Sequence, residues 1–188
     1  MRVIAGAAKG ARLGAVPPGV RPMADQAREG LFASLADRVD DARCLDLFAG
    51  TGATGIEALS RGASHCTFVD RSRRTTATIE GNLERTDLED LATVRTSEVT
   101  AYLRRGRPAA DEPYDLVFLD PPYEMEGPAL DGCSVLLDDG WLAGTGWTVM
   151  VTRGQKGSLP AVPLHWAVAR QLRYGDSLLT LYREVGWA

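Results

Sequence analysis

The chain has no apolar run approaching the ~18 consecutive residues that a membrane-spanning helix requires. Its opening, MRVIAGAAKGARLG, lacks the apolar core of a secretory signal, so a cytoplasmic location is expected. Cysteine is scarce and odd in number. Cys44, Cys66 and Cys133 lie far apart without metal-ligand spacing, and the first two fall inside expected strands, where a free thiol is usually a small core hydrophobe. Histidine is scarcer still: His65 and His165 are isolated and read as structural or surface residues. Acids are absent from one place in particular. Residues 1–24 contain Arg2, Lys9, Arg12 and Arg21 but neither Asp nor Glu. The net charge of −4 and the pI near 5.2 argue weakly against a nucleic-acid binder. A basic arm on an acidic body can nonetheless contact phosphates, and a solvated hairpin is the plainer alternative.

What is present is ordinary in bulk: 188 residues, 45% hydrophobic and 24% charged, the size of a single globular domain. Such a chain buries about 70% of its unfolded surface. Residues 2–16 read as a two-strand ribbon turning near Lys9-Gly10, followed by a helix of about 25–38. In that helix Ala27, Leu31 and Leu35 share an apolar face, while Asp25, Arg28, Glu29 and Phe32 share another. From residue 43 strands and helices alternate: strands at 43–49, 64–70, 91–97 and 114–119, with helices near 54–62, 72–85 and up to Arg104 between them. A helix at 126–138, a strand at 147–152 and a hairpin over 165–183, turning at Tyr174-Gly175-Asp176, complete the chain. Alternation of this kind predicts an α/β fold, a mostly parallel sheet with helices on both faces and an antiparallel C-terminal edge.

Two motifs carry chemistry. Gly50-Thr51-Gly52-Ala53-Thr54-Gly55 fits G-x-G-x-x-G, and Asp70 lies 20 residues after Gly50 where a ribose-binding acid would stand. Alone, this favours a nicotinamide or flavin dinucleotide, and a tight strand-to-helix turn without ligand is the plain alternative. Asp46, four positions ahead of Gly50, shifts the balance. A carboxylate there would repel a pyrophosphate by a few kcal/mol at low effective dielectric, whereas S-adenosylmethionine carries a sulfonium and an ammonium. A turn-stabilising acid is the competing reading of Asp46.

The second motif is Asp120-Pro121-Pro122-Tyr123, at the exit of a buried strand. Ligands of open α/β sheets bind at the carboxyl ends of the strands. An exocyclic amino group on an aromatic base is a poor nucleophile because its lone pair is delocalised into the ring. Two acceptors outside the amine plane make it pyramidal, and Asp120 with the Pro121 carbonyl supplies them on a backbone that proline stiffens. Tyr123 offers a stacking face worth about 1–3 kcal/mol. The plain alternative is a proline-punctuated loop with a solvated acid.

DPPY together with DLFAGTG resembles the amino-methyltransferases of nucleic-acid bases. The ordered set RPMADQAREGLF, GIEALSRGA and RYGDSLLTLY, spanning nearly the whole chain, resembles the RsmD family, which methylates a guanine N2 of 16S ribosomal RNA. The resemblance implies a Rossmann-like class I S-adenosylmethionine-dependent methyltransferase fold, with residues 1–38 as an extension contacting RNA and cofactor and 39–188 as the methyltransferase domain, in one compact unit. It implies catalytic roles for Asp120, Pro121, Pro122 and Tyr123, and cofactor contacts from Asp46, Phe48, Gly50, Thr51, Gly52, Asp70, Arg71 and Glu98. Arg21, Asp25 and Glu29, from the segment expected to close over the cofactor, join them. Without the resemblance Asp25 would be read as the cap of a salt-bridged helix. Arg2, Lys9 and Arg12 are expected to grip RNA. The partner implied is 16S ribosomal RNA, in the small subunit or an assembly intermediate of it, met by a monomer without metal or membrane. Three positions depart from the family pattern: Met23-Ala24 where a Thr is common, Glu98 for an Asp, and Thr152 where a strand usually ends in Glu. Trp141, Trp147, Trp166 and Tyr174 are expected to be packing residues. A DNA adenine-N6 methyltransferase, a nicotinamide oxidoreductase and a non-catalytic ribosome-binding module remain as alternatives.

Overall fold

A computed structural model describes residues 1–19, 22–122, 125, 128–155, 157 and 159–186. Seven strands form one sheet: β1 (Arg43–Leu47), β2 (His65–Asp70), β3 (Ala92–Thr96), β4 (Leu116–Leu119), β5 (Thr148–Gly154), β6 (Trp166–Tyr174) and β7 (Ser177–Glu184). Their order is β3-β2-β1-β4-β5-β7-β6. Pairs from β3 to β5 are parallel, and β7 runs antiparallel to both β5 and β6. Helices α1 (Asp25–Leu35), α2 (Ala53–Ser60), α3 (Arg73–Glu84), α4 (Val99–Arg104) and α5 (Pro128–Asp138) supply the layers.

Two apolar clusters sandwich the sheet. One joins Leu31, Phe32 and Leu35 of α1, Ile56 of α2 and Ile79 of α3 to Cys44, Cys66 and Phe68. The other gathers Val99 and Leu103 of α4, Leu130 and Leu137 of α5, and Leu45, Val117 and Val149. Alternate residues of one strand thus serve opposite faces: Cys44 and Leu45 are neighbours in β1 and belong to different clusters. The strands buried on both faces read as nearly continuous apolar runs, as parallel strands do. Trp141 packs between Tyr102 and Tyr114, and Trp147 packs on Trp166, so these three tryptophans are core residues as expected. Tyr174 lies partly buried against α1 at Gly30, where a Cβ would collide with its hydroxyl.

Two boundaries differ from the sequence expectation. The helix expected to reach residue 38 leaves α geometry after Leu35, because Ala36 takes a φ of 48°, and a 3-10 turn follows over Ala36–Val39. The N-terminal ribbon contracts to one antiparallel bridge, Arg2 to Arg12. Val3 still exchanges hydrogen bonds with Ala11 and Gly10 across the ribbon, but the donors that follow are engaged elsewhere. Ile4 and Ala5 donate their N–H groups to the Glu57 carboxylate at 2.8 and 3.0 Å, and Ala8 donates to Ser60 Oγ at 3.0 Å. A segment whose donors are taken by α2 cannot also extend a ladder.

Candidate active site

Strand β1 ends where Phe48 adopts a φ of 58°, and Gly50 and Gly52 follow at 56° and 74°. Three left-handed residues within five turn the chain from the carboxyl end of β1 into α2. For glycine this costs little; for Phe48 it is strain of the kind held at ligand-binding turns. The turn is fixed from two sides. Gly50 N–H donates to Asp70 Oδ2 at 3.1 Å, and Asn82 Nδ2 of α3 donates to the Thr51 carbonyl at 2.9 Å. The third glycine has a packing role: a Cβ on Gly55 would stand 2.3 Å from the Phe68 ring, so only glycine lets α2 lie this close to β2.

Asp46 sits at the next-to-last position of β1 and is 2% exposed. Its Oδ2 accepts from Gly55 N–H at 3.0 Å, so it does brace the turn as the competing reading supposed. Burial lifts its carboxyl well above the usual range; the Gly55 bond opposes this, and the nearby charges of Asp120 and Asp70 add to it. Asp70, closing β2, also accepts from Ser72 N–H at 2.9 Å. Both of its oxygens are therefore tied to backbone, each with a lone pair still to offer.

Asp120 follows β4 directly, and its N–H reaches the Leu47 carbonyl at 3.4 Å. Burial raises its carboxyl from 3.8 to about 6, opposed by a hydrogen bond with the Thr152 side chain. The sheet register explains the pairing: Leu119 stands opposite Val151, which places Asp120 beside Thr152. The Thr152 oxygen also lies 3.2 Å from Met150 Sδ, but a carboxylate outcompetes a thioether for its single proton. Pro121 is buried and Pro122 exposed. Met125 N–H closes a turn on the Pro122 carbonyl at 2.9 Å, and among the described residues no donor reaches the carbonyl of Pro121. Tyr123 and Arg21 lie outside the described residues.

Asp46, Asp70 and Asp120, with the glycine turn, thus converge at the carboxyl edge of β1, β2 and β4. Among the described residues, no group of three or more His, Cys, Asp or Glu could hold a metal ion. Burial and mutual repulsion leave Asp46 short of a positive neighbour, the condition that a cationic ligand relieves and a pyrophosphate worsens.

A family model described as conserved hypothetical protein 95 matches residues 1–183. Ribosomal RNA small subunit methyltransferase D of Escherichia coli strain K12 is 35% identical over 98% of this chain and 90% of its own length. The chain belongs to the RsmD family. A putative rRNA methyltransferase, YlbH of Bacillus subtilis strain 168, is 33% identical over 99% of this chain and all of its own length. The solved structure of the putative methyltransferase yhhF from Escherichia coli superposes with a TM-score of 0.83 at 35% identity, covering 98% of this chain and 97% of that one. The seven-stranded sheet is accordingly the class I methyltransferase fold.

Other site residues are dispersed. Glu98 turns its carboxylate onto its own helix, capping α4 through Thr100 N–H at 3.1 Å and Ala101 N–H at 2.7 Å. Asp25 is not the cap of α1. Ala24 holds that position without a side-chain bond, while Asp25 pairs with Arg28 at 2.9 Å. Glu29, Arg71, Arg2, Lys9 and Arg12 are exposed, and Phe48 is half-buried. Sequence reasoning passed over Glu57, a fully buried carboxylate that holds Ile4, Ala5 and Arg61 and lies 3.5 Å from the buried Arg28. The signal was available: Glu57 is the one charged residue in Ala53–Ser60, a helix otherwise made of small and apolar residues.

Proposed function

We propose that this chain transfers a methyl group from S-adenosylmethionine to the exocyclic N2 of a guanine in 16S ribosomal RNA. Ribosomal RNA methylation with this cofactor is the activity of the RsmD family; the guanine N2 is the finer reading. The observation that carries it is Asp120, half-buried at the mouth of β4 beside Asp46 and the glycine turn, yet ionised above about pH 6.

When bound, the cofactor supplies a methyl group on a sulfonium. Asp46 and Asp70 would face that cation, and Asp70, each of whose oxygens accepts one backbone N–H, would offer its remaining lone pairs to the ribose hydroxyls. Asp120 and the Pro121 carbonyl accept the two amino hydrogens, which frees the nitrogen lone pair from the ring. As charge develops on nitrogen, the ionised Asp120 stabilises it and can take the proton that the methylated amine loses. Tyr123 is assigned the stacking face, with the base flipped out of its helix to reach it. Asp25, Glu29, Arg21, Glu98, Arg71, Phe48, Thr51, Gly50 and Gly52 are assigned to the cofactor, and Arg2, Lys9 and Arg12 to RNA phosphates. Residues 1–38 act as an extension of the domain 39–188. The enzyme is proposed to work in the cytoplasm as a monomer, on the small subunit or its assembly intermediate.

Asp120→Ala is expected to bind S-adenosylmethionine normally by calorimetry and to lose methyl transfer to unmethylated small subunits. Mapping a tritiated methyl group by nucleotide assigns the base. Undiminished transfer by the variant would overturn the mechanism, and label on an adenine would overturn the choice of base.

A further inference from the structure

The N-terminal segment leaves its bridge at Arg12 and runs along α3, and the two enclose a cleft of about 390 Å³. One wall is the segment from Gly14 to Pro17. The other is a single face of α3: Arg74, Ala77, Thr78, Gly81 and Arg85, at i, i+3, i+4, i+7 and i+11. Small residues floor the cleft and an arginine stands at each end, about 16 Å apart at 1.5 Å per residue. Both arginines are exposed, and among the described residues no carboxylate pairs with either. Gly14 touches one of them: a Cβ there would meet Arg85 Nη1 at 3.2 Å.

The bridge beside this cleft is electrostatically unfavourable as it stands. Arg2 and Arg12 are directly opposed across it, both exposed, and like charges in that arrangement destabilise the pairing. No acid occurs in residues 1–24 to offset them. The bridge and the cleft that follows it in the chain thus bring together four exposed arginines, Arg2 and Arg12 on the one and Arg74 and Arg85 on the other. The cleft is held in register with the catalytic turn. Asn82 accepts from Gly14 N–H at 2.7 Å and donates to the Thr51 carbonyl, so one side chain ties the cleft wall to the glycine loop.

We propose that this cleft, between residues 14–17 and α3, binds the sugar-phosphate strand of the substrate RNA flanking the target base, with Arg74 and Arg85 each meeting a phosphate. Single-stranded RNA fits the arrangement, because positive grooves track a backbone without reading its bases. The inference rests on RNA being the substrate, and deepens that reading by naming a surface outside the catalytic motifs.

The test is binding of the full chain to unmethylated small subunits as a function of NaCl, independent of turnover, with transfer kinetics alongside. Arg74→Gln/Arg85→Gln is expected to weaken binding roughly tenfold at physiological salt and to reduce the slope of log K against log salt by about 1.4, or 0.7 per lost phosphate contact. KM for the subunit should rise while kcat and S-adenosylmethionine affinity by calorimetry stay unchanged. The same pair changed to lysine should recover most of the affinity, which a merely structural role would not allow. Unchanged affinity and slope in the glutamine variant, with normal transfer, overturn the cleft and leave the enzyme's function standing. Weakened binding by the variant, with no methyl transfer to RNA by the native chain, supports the cleft and overturns the function instead. Weakening of both affinity and cofactor binding together would mark a folding defect and count against the proposal.

Discussion

Asp120→Asn should make this protein more stable while stopping its reaction. The substitution keeps size and shape but removes a charge that the site holds at a cost. In the native chain burial lifts the Asp120 carboxyl from 3.8 to about 6, and the direction decides the sign. A raised value means the native state prefers the protonated form. Above about pH 6 both folded and unfolded chains carry the charge and the whole penalty applies; between 6 and 3.8 it shrinks as pH falls; below 3.8 it is gone. At 1.36 kcal/mol per tenfold change, the rise corresponds to about 3 kcal/mol. The weaker hydrogen bond from Thr152 to a neutral amide oxygen subtracts from that figure, and relief of the nearby Asp46 adds to it.

Urea unfolding at two pH values reads the effect. At pH 8 Asp120→Asn is expected to exceed the native chain by about 2–3 kcal/mol, and at pH 5 by about half as much. For a chain of this length the gain at pH 8 amounts to roughly 5–10 °C in Tm. Methyl transfer should be lost at both pH values, since an amide cannot accept hydrogens as a carboxylate does or take the product's proton. Equal stability at pH 8, or a gain of the same size at both pH values, would refute the argument that a buried charge is being held against its solvation.

Other substitutions probe the supports of that site. Thr152→Val removes a hydrogen bond that favours the ionised Asp120, so the acidic limb of the pH-rate profile should move upward from about 6; a limb that stays put or moves down contradicts the pairing. Glu57→Gln removes one of the two carboxylates that meet the buried Arg28, leaving Asp25, and weakens the anchor of the N-terminal segment. A loss of about 2–3 kcal/mol in urea unfolding, from the weakened hydrogen bonds to a charged group, with faster hydrogen exchange at Ile4 and Ala5, is expected. Gly55→Ala drives a methyl into the Phe68 ring, and should cost about 1–3 kcal/mol and weaken S-adenosylmethionine binding in calorimetry. Native affinity in that variant would show that the α2 contact does not shape the glycine turn.

Much of the fold was legible because the alternation of apolar strands and helices is a local signal that needs no knowledge of partners. Each expected strand from β1 to β7 is present, and the hairpin turn falls at Gly175-Asp176 as read. The misses are long-range. Nothing local says that the ribbon's donors will go to Glu57 and Ser60, more than 50 residues away in sequence. The motifs were legible for a similar reason: a left-handed turn needs glycines at fixed offsets, and a strand exit needs its acid in the next position. Thr152 shows the limit. From sequence it is a departure from the family pattern; only the register of β4 against β5 makes it a partner of Asp120.

That register also bears on why G-x-G-x-x-G misleads when taken alone. The glycines specify a backbone path, and dinucleotide and methyl-donor enzymes can share the path. Charge at the carboxyl edge discriminates between them. Here a glycine loop meets three acids from β1, β2 and the exit of β4, and the first is so deeply buried that its ionised form is disfavoured. A pyrophosphate would face repulsion from Asp70 and Asp120 and would disfavour charge on Asp46 still further. A sulfonium and an ammonium restore to Asp46 the stabilisation of charge that burial took from it, so cofactor binding should release little of the bracing that Gly55 N–H provides. The same acid can therefore hold the turn when the site is empty and hold the cation when it is filled, which removes any need to choose between its structural and its functional reading.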